Sequence, residues 1–374
     1  MAQPTPVRLV KRSRRGWIIG IVLLVFVTCG FAFLKVLGTI SEVFANVEQV
    51  GGGMSSFSGG SPHLHEVTIE SGSSSDKIAV IPIEGVITSS AFDASGYTMV
   101  KLVEDQLKLA GKDRRVKAVL LKVNSPGGEV LASDDIYQAI KKFQNEHNKP
   151  VVASMGNLAA SGGYYVSAPC RWIVANELTI TGSIGVIMQA YNYRGLMNKV
   201  GMRPMVYKSG KFKDMLSGEK DLENATAEQR TEMAEEDAML NRMVGETFTR
   251  FKTVIAEGRQ FSNNRNQSNP DGDSGRTLSS KWTDLADGRI LSGKEAHANG
   301  FVDELGGWRT AVKRAETLAG IEDADLITYQ APFNIGNLFS LFGKSSAGTI
   351  KVDIGLDLPK LRAGLYFLAP SFAH

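Results

Sequence analysis

The stretch VKAVLLKVNSPGG, residues 116–128, decides how the rest of the chain is read. Val116–Val123 is a short apolar run, and it stops at a Pro-Gly-Gly turn, so it predicts a buried strand that ends in a tight loop. The same alternation continues outward on both sides. Upstream, Ile78–Ile83 (IAVIPI) predicts a strand, and Met99–Ala110 places Val100, Val103, Leu107 and Ala110 on one helical face. Downstream, Leu131–Phe143 predicts a helix, Val151–Met155 a third strand and Trp172–Ala175 a fourth. Strands alternating with helices imply βαβ units and a mainly parallel sheet, the α/β class. Farther on, Ala225–Phe251 predicts a long helix that is acidic in its middle. Ser262–Ser280 is rich in Asn, Ser, Gly and Asp and predicts a polar surface insertion, after which Gly293–Gly307 returns to a helix-turn-strand pattern.

Three Gly/Ser-rich junctions each follow a strand: Asn124–Gly128 (NSPGG), Ala159–Tyr165 (AASGGYY) and Thr181–Gly185 (TGSIG). In an open α/β sheet ligands bind beyond the carboxyl ends of the strands, so such loops converge on one crevice. Small residues there admit a substrate backbone and leave amide hydrogens free to donate. Any one of these loops alone would be read as a turn or a helix cap. Three in succession point to a site, with the Ser161 hydroxyl at a loop tip before Gly162-Gly163.

Familiar motifs fail elsewhere. Gly343-Lys344-Ser345 ends like a phosphate loop, but Leu338 stands where a Gly is required. The histidines are His63, His65, His147, His297 and His374, without HExxH or ligand spacing, so no zinc site and no Ser-His-Asp triad is expected. Ala159 stands two positions before Ser161, so there is no GxSxG elbow. Cys170 is expected to be a packed core thiol. A serine without a histidine needs another base, and lysine is the known substitute. An ordinary lysine, with a pKa of about 10.4, is protonated at neutral pH. Bringing it near 7 takes roughly 4 kcal/mol of destabilisation of the cation, which apolar burial supplies. Met205–Ser217 offers Lys208, Lys211 and Lys213, and spacing does not choose among them.

The chain has 374 residues, 43% hydrophobic and 22% charged, which excludes disorder and disulfide-rich mini-folds. Residues 1–16 hold Arg8, Lys11, Arg12, Arg14 and Arg15 and no acid, a charge of +5. The remainder has 37 basic against 39 acidic residues, so the overall +3 gives no support to a nucleic-acid surface on the main body. Trp17–Leu34 then runs eighteen residues without a charge, about 27 Å as a helix, close to the thickness of a bilayer core. It exceeds the usual h-region of a signal peptide and lacks a small-x-small cleavage site, so an uncleaved anchor over residues 17–37 is expected. The positive-inside rule leaves residues 1–16 in the cytoplasm and sends everything after about residue 38 across the membrane. Residues 38–76, with Gly51-Gly52-Gly53 and Ser73-Ser74-Ser75, are expected to be a flexible tether. The body is expected over 77–330, with a C-terminal tail over 331–374.

These segments together resemble the signal peptide peptidase A family in its short, single-repeat bacterial form. The most specific part is MGNLAASGGYYVSAPCRWIVANELTITGSIGV, residues 155–186. The resemblance covers about residues 77–330 and the anchor. It implies a ClpP/crotonase-like repeated βαβ core and a Ser-Lys serine endopeptidase with Ser161 as nucleophile. It also implies Lys213 as the base, Ser183 as the residue that orients the lysine amine, and the backbone amides of Gly128 and Gly162 as oxyanion donors. No cofactor or metal is implied. The partners implied are further copies of the chain in a dome-shaped ring, with serine and lysine from neighbouring protomers, the lipid bilayer, and peptide substrates. The substrates are signal-peptide remnants in the bacterial inner membrane and misfolded exported proteins. Three rivals stand beside this reading: a peptidase of one membrane protein such as a stomatin-like partner, an acyl-CoA enzyme of crotonase type, and a non-catalytic membrane scaffold. An exported body has no ready CoA supply, and a scaffold would have no need of both Ser161 and Lys213.

Overall fold

The computed structural model describes residues 64–91, 97–331 and 365–368. The basic segment, the expected anchor at 17–37 and most of the tail lie outside these residues. Among the described residues no helix is long and apolar enough to cross a membrane.

The chain runs β1 (His65–Glu70), β2 (Lys77–Glu84), α1 (Met99–Lys112), β3 (Val116–Ser125), β4 (Gly127–Glu129), α2 (Val130–His147), β5 (Val151–Ala159) and α3 (Gly162–Ser167). It continues with β6 (Trp172–Ala175), β7 (Ile180–Gly182), β8 (Ile187–Met188), α4 (Arg194–Lys199) and α5 (Ala227–Asn266). Then follow β9 (Ile290–Ser292), α6 (Gly293–Ala298), β10 (Glu304–Leu305), α7 (Trp308–Ala319), β11 (Asp325–Gln330) and β12 (Leu365–Leu368). The main sheet has the order β1-β11-β2-β3-β5-β6-β10. Every pair along it is parallel except β1 with β11. The expected α/β class is therefore the observed one.

The apolar runs make strands because helices cover both faces of the sheet, which is what near-continuous hydrophobic strands require. Side chains alternate between the faces. Ile78, Val80, Ala118, Leu120, Val152 and Val174 pack against Ala311, Ala315 and Leu318 of α7. Ala79, Ile81, Val119, Leu121 and Ala153 face the other way, in a cluster with Val103 and Leu107 of α1 and Ile136 and Ile140 of α2.

Two boundaries differ from the expectation. The body begins before Lys77, because residues 65–70 form edge strand β1 on β11, with His65 opposite Gln330 and Val67 opposite Thr328. Beyond it the amides of Gly72 and Ser73 donate to the carboxylates of Asp325 and Asp323. This strand is mostly exposed and polar, so its composition resembles a tether although its backbone is paired. The polar stretch at 262–280 likewise starts inside α5, where Ser262 and Asn266 are fully buried. Ser262 donates to the Cys170 carbonyl at 2.8 Å, and Asn269 and Asn266 accept from the Arg171 guanidinium.

Candidate active site

The three Gly/Ser junctions do meet. Strand β5 ends at Ala159, and Ser161 makes the turn into α3. Its backbone has φ 54° and ψ −117°, a conformation that side chains with a Cβ rarely adopt. Neighbours hold it there: the Ser161 amide donates to the Gly182 carbonyl at 2.8 Å, and its carbonyl accepts from the Tyr165 amide at 2.8 Å. Strain of this kind persists only where the surroundings hold it, and it clusters at functional sites. Ser161 is fully buried, and its Oγ has no hydrogen-bond partner among the described residues.

The loop after β7 reaches the serine through that Gly182 bond. Ser183, next in sequence, is buried with φ 51°, and its amide donates to the Arg289 carbonyl at 2.7 Å. Thr181 Oγ1 donates to the Ala159 carbonyl at 2.7 Å, and Asn124 Oδ1 accepts from the Leu158 amide at 3.2 Å, so side chains tie all three loops together. The two glycine amides also converge. A Cβ placed on Gly162 would stand 3.1 Å from the Gly128 nitrogen, and one on Gly127, whose φ is +101°, would stand 2.6 Å from the Gly162 nitrogen. Glycine is needed at these positions because a side chain would fill the space between the amides.

Lys213 stands apart from this cluster. It is exposed, and among the described residues its amine makes no hydrogen bond or ion pair with Ser161, Ser183 or any other group. The burial expected of a lysine base is therefore not observed at Lys213. The other lysines of the segment are engaged. Lys208 donates to Asp214 at 2.8 Å and to Glu232 at 2.7 Å, and these two bonds push its pKa up and keep it protonated. Lys211 is 2.6 Å from Glu235. Asp214, Glu232 and Glu236 are close enough to share an ion, but they are the counter-charges of Lys208 and Lys220. Cys170 is buried, which pushes its thiol pKa up and leaves it an inert core group. His297, half-buried on α6, has its pKa lowered by burial and makes no bond to Ser161.

One component of the site was not legible in the sequence. Strand β12, from the C-terminal tail, inserts between β4 and β8, pairing Phe367 with Gly128, Leu368 with Gly127 and Leu365 with Met188. The Gly127–Glu129 strand after the NSPGG loop is thus the edge of a second, three-stranded sheet. Only the apolar quartet LYFL hinted at it, and nothing local says where such a quartet docks.

Comparison with known proteins bears on the family. The family described as Peptidase family S49 matches residues 143–274 and 273–322, and the Clp protease family matches residues 91–175. An Enterococcus faecium protein provisionally named signal peptide peptidase SppA is 34% identical over 85% of this chain and 85% of its own length. Protease 4 of Haemophilus influenzae is 34% identical over 65% of this chain, which spans 35% of that protein. Among solved structures, the 1510-N membrane-bound stomatin-specific protease in complex with a substrate peptide covers 71% of the chain at 16% identity, with a TM-score of 0.38. The S49 match, which includes the strained Ser161, and the 34% identity to the Enterococcus faecium protein over most of both chains lead to one conclusion: the chain belongs to peptidase family S49 and is a serine peptidase.

Proposed function

We propose that the chain is a membrane-anchored endopeptidase of the inner membrane that works with a Ser161–Lys213 dyad and degrades signal-peptide remnants on the exported side. The observation that carries the dyad is that both halves are left unsatisfied in one chain. Ser161 Oγ is buried without a partner, and Lys213 is the one lysine of Met205–Ser217 whose amine is unengaged among the described residues. A neighbouring protomer supplies the missing half. The segment that carries Lys213 is flanked by exposed apolar side chains, among them Leu196, Val200, Met202, Met205 and Tyr207, a patch that favours covering by a second copy. Covering it also removes water from the amine, and that desolvation favours the neutral form a base requires.

In this mechanism the neutral amine of Lys213 takes the Ser161 proton as Oγ attacks a peptide carbonyl carbon. The amides of Gly128 and Gly162 stabilise the oxyanion, and Ser183 orients the amine. Collapse breaks the C–N bond, with the proton passing from the lysine to the leaving nitrogen. Water, deprotonated by the same amine, then releases the acyl group from Ser161. The membrane assignment rests on Trp17–Leu34 and the +5 charge before it. The substrate class follows the names of the relatives.

Replacing Ser161→Ala or Lys213→Ala is expected to abolish cleavage of a signal-peptide-like fluorogenic substrate while oligomer size, measured by light scattering, stays the same. Full activity in the Lys213→Ala protein would overturn the assignment of the base.

A further inference from the structure

Four carboxylates surround the segment that carries Lys213. Asp214 follows it directly, and Glu232, Glu235 and Glu236 lie three and four residues apart in the first half of α5, so these three acids share one helical face. Each of the four already holds a lysine. Lys208 reaches Asp214 at 2.8 Å and Glu232 at 2.7 Å, and Lys211 reaches Glu235 at 2.6 Å. Lys220 is ion-paired with Glu236 and lies 3.6 Å from Asp214. The Lys208 amine also donates to the Lys211 carbonyl at 2.7 Å, which ties the turn before Lys213 into the same clasp. Glu236 is buried and Asp214, Lys220 and Glu232 are half-buried, so these pairs are partly shielded from water. Arg194, Glu219 and Asp221 line the same cavity, where Arg194 faces Asp221 at 3.8 Å.

A base makes the opposite demand on its surroundings. A carboxylate within about 4–6 Å favours the ammonium form of a lysine, and an ammonium cannot take a proton from a serine. With one acid beside it in sequence and three on the helix clasped to its segment, Lys213 can act only where other cations neutralise them. Lys208, Lys211 and Lys220 do so.

From this arrangement we infer that Lys208 and Lys220 are positioning residues for the base, acting through Lys213: they hold Asp214, Glu232 and Glu236 and so leave Lys213 without a counter-charge. The same clasp fastens the turn that carries Lys213 to α5. The inference rests on the dyad reading for the role of Lys213.

The pH dependence of kcat/KM tests it, measured on the full chain with the fluorogenic peptide. Its acidic limb reports ionisation of the base in the free enzyme. Lys208→Met frees Asp214 and Glu232, which raises the pKa of Lys213 and leaves less of it neutral at a given pH. The limb is therefore expected to move up by about 1 pH unit, an approximately tenfold loss at low pH that disappears at high pH. Lys208→Arg keeps the charge and is expected to leave the limb in place. Lys208→Met combined with Glu232→Gln removes an acid together with the lysine and is expected to return the limb to its wild-type position, a rescue that a role in packing alone would not give. Lys220→Met, with and without Glu236→Gln, repeats the comparison at the second lysine should Lys208→Met fail to assemble, as judged by light scattering. A limb unmoved in both lysine variants, an equal shift in Lys208→Arg, or no return in the double variants overturns the inference. Lys213→Ala judges the dyad separately: full cleavage there removes the dyad, whereas an inactive Lys213→Ala beside an unmoved limb in the lysine variants removes the clasp alone.

Discussion

At the scale of single residues, Ser161 combines two costs. Its φ of 54° belongs to glycine territory, and its hydroxyl is buried without a partner. Strain of that kind is worth about 1–3 kcal/mol, and a buried unpaired polar group costs a similar amount. Both are tolerable because the Gly182 and Tyr165 bonds hold the turn. Ser161→Ala removes the second cost and Ser161→Gly removes both. Chemical denaturation is therefore expected to rank Ser161→Gly about 1 kcal/mol more stable than Ser161→Ala, with both inactive. Equal stabilities would mean the turn is relaxed. The sequence pointed to Ser161 because Ala-Ser-Gly-Gly after an apolar run is a local signal. The base was less legible, since Lys208, Lys211 and Lys213 differ only in what stands opposite each of them. Asp214 engages Lys208 from within the same turn, and Glu232 and Glu235 engage Lys208 and Lys211 from α5, which packs back on it.

At the scale of the element, α5 behaves as two helices in series. Its start is fixed by a capping box, Thr226 with Gln229, but its first half buries little beyond Glu236. From Phe251 onward, Val254, Ile255, Gly258, Arg259, Ser262 and Asn266 form one buried stripe at helical spacing. Arg259 is ion-paired with Asp303 inside it. Gly258 lets the helix axis approach the chain after α3, because a Cβ there would stand 2.3 Å from the Ala168 carbonyl oxygen, whereas one on Gly245 would meet nothing within 4 Å. The same substitution should therefore act with opposite signs. Gly245→Ala is expected to stabilise by up to about 1 kcal/mol through helix propensity. Gly258→Ala is expected to destabilise by about 1–3 kcal/mol through overpacking. Urea midpoints of the two variants check this, and destabilisation by both would show that the first half of α5 is also closely packed. Elements of this kind were legible when apolar periodicity marked them, as in β2, β3 and α1. Strand β1 was not, because an exposed edge strand carries His65, Glu66, Thr68 and Glu70 and needs only its backbone to pair. Strand β12 was not, because its partners are more than 170 residues away in sequence.

At the scale of the whole molecule, the arrangement leads to a test that no single-chain enzyme would pass. The chain carries Ser161 beside two converging glycine amides and an exposed Lys213, and no bond joins the two residues within one chain. If the site forms across a heterologous interface, every site draws Ser161 from one protomer and Lys213 from the next around a closed ring. Ser161→Ala and Lys213→Ala proteins would each be inactive alone, while a ring mixed from equal amounts contains sites where an intact serine faces an intact lysine. Random assembly makes that true of about a quarter of the sites. Co-refolding the two variants is therefore expected to restore about a quarter of the wild-type cleavage rate. A site closed within one chain would give no recovery at any mixing ratio. Substituting the apolar patch around Tyr207 and Met205 with charged residues is expected to suppress the recovery, because the same surface must be covered for Lys213 to lose its water.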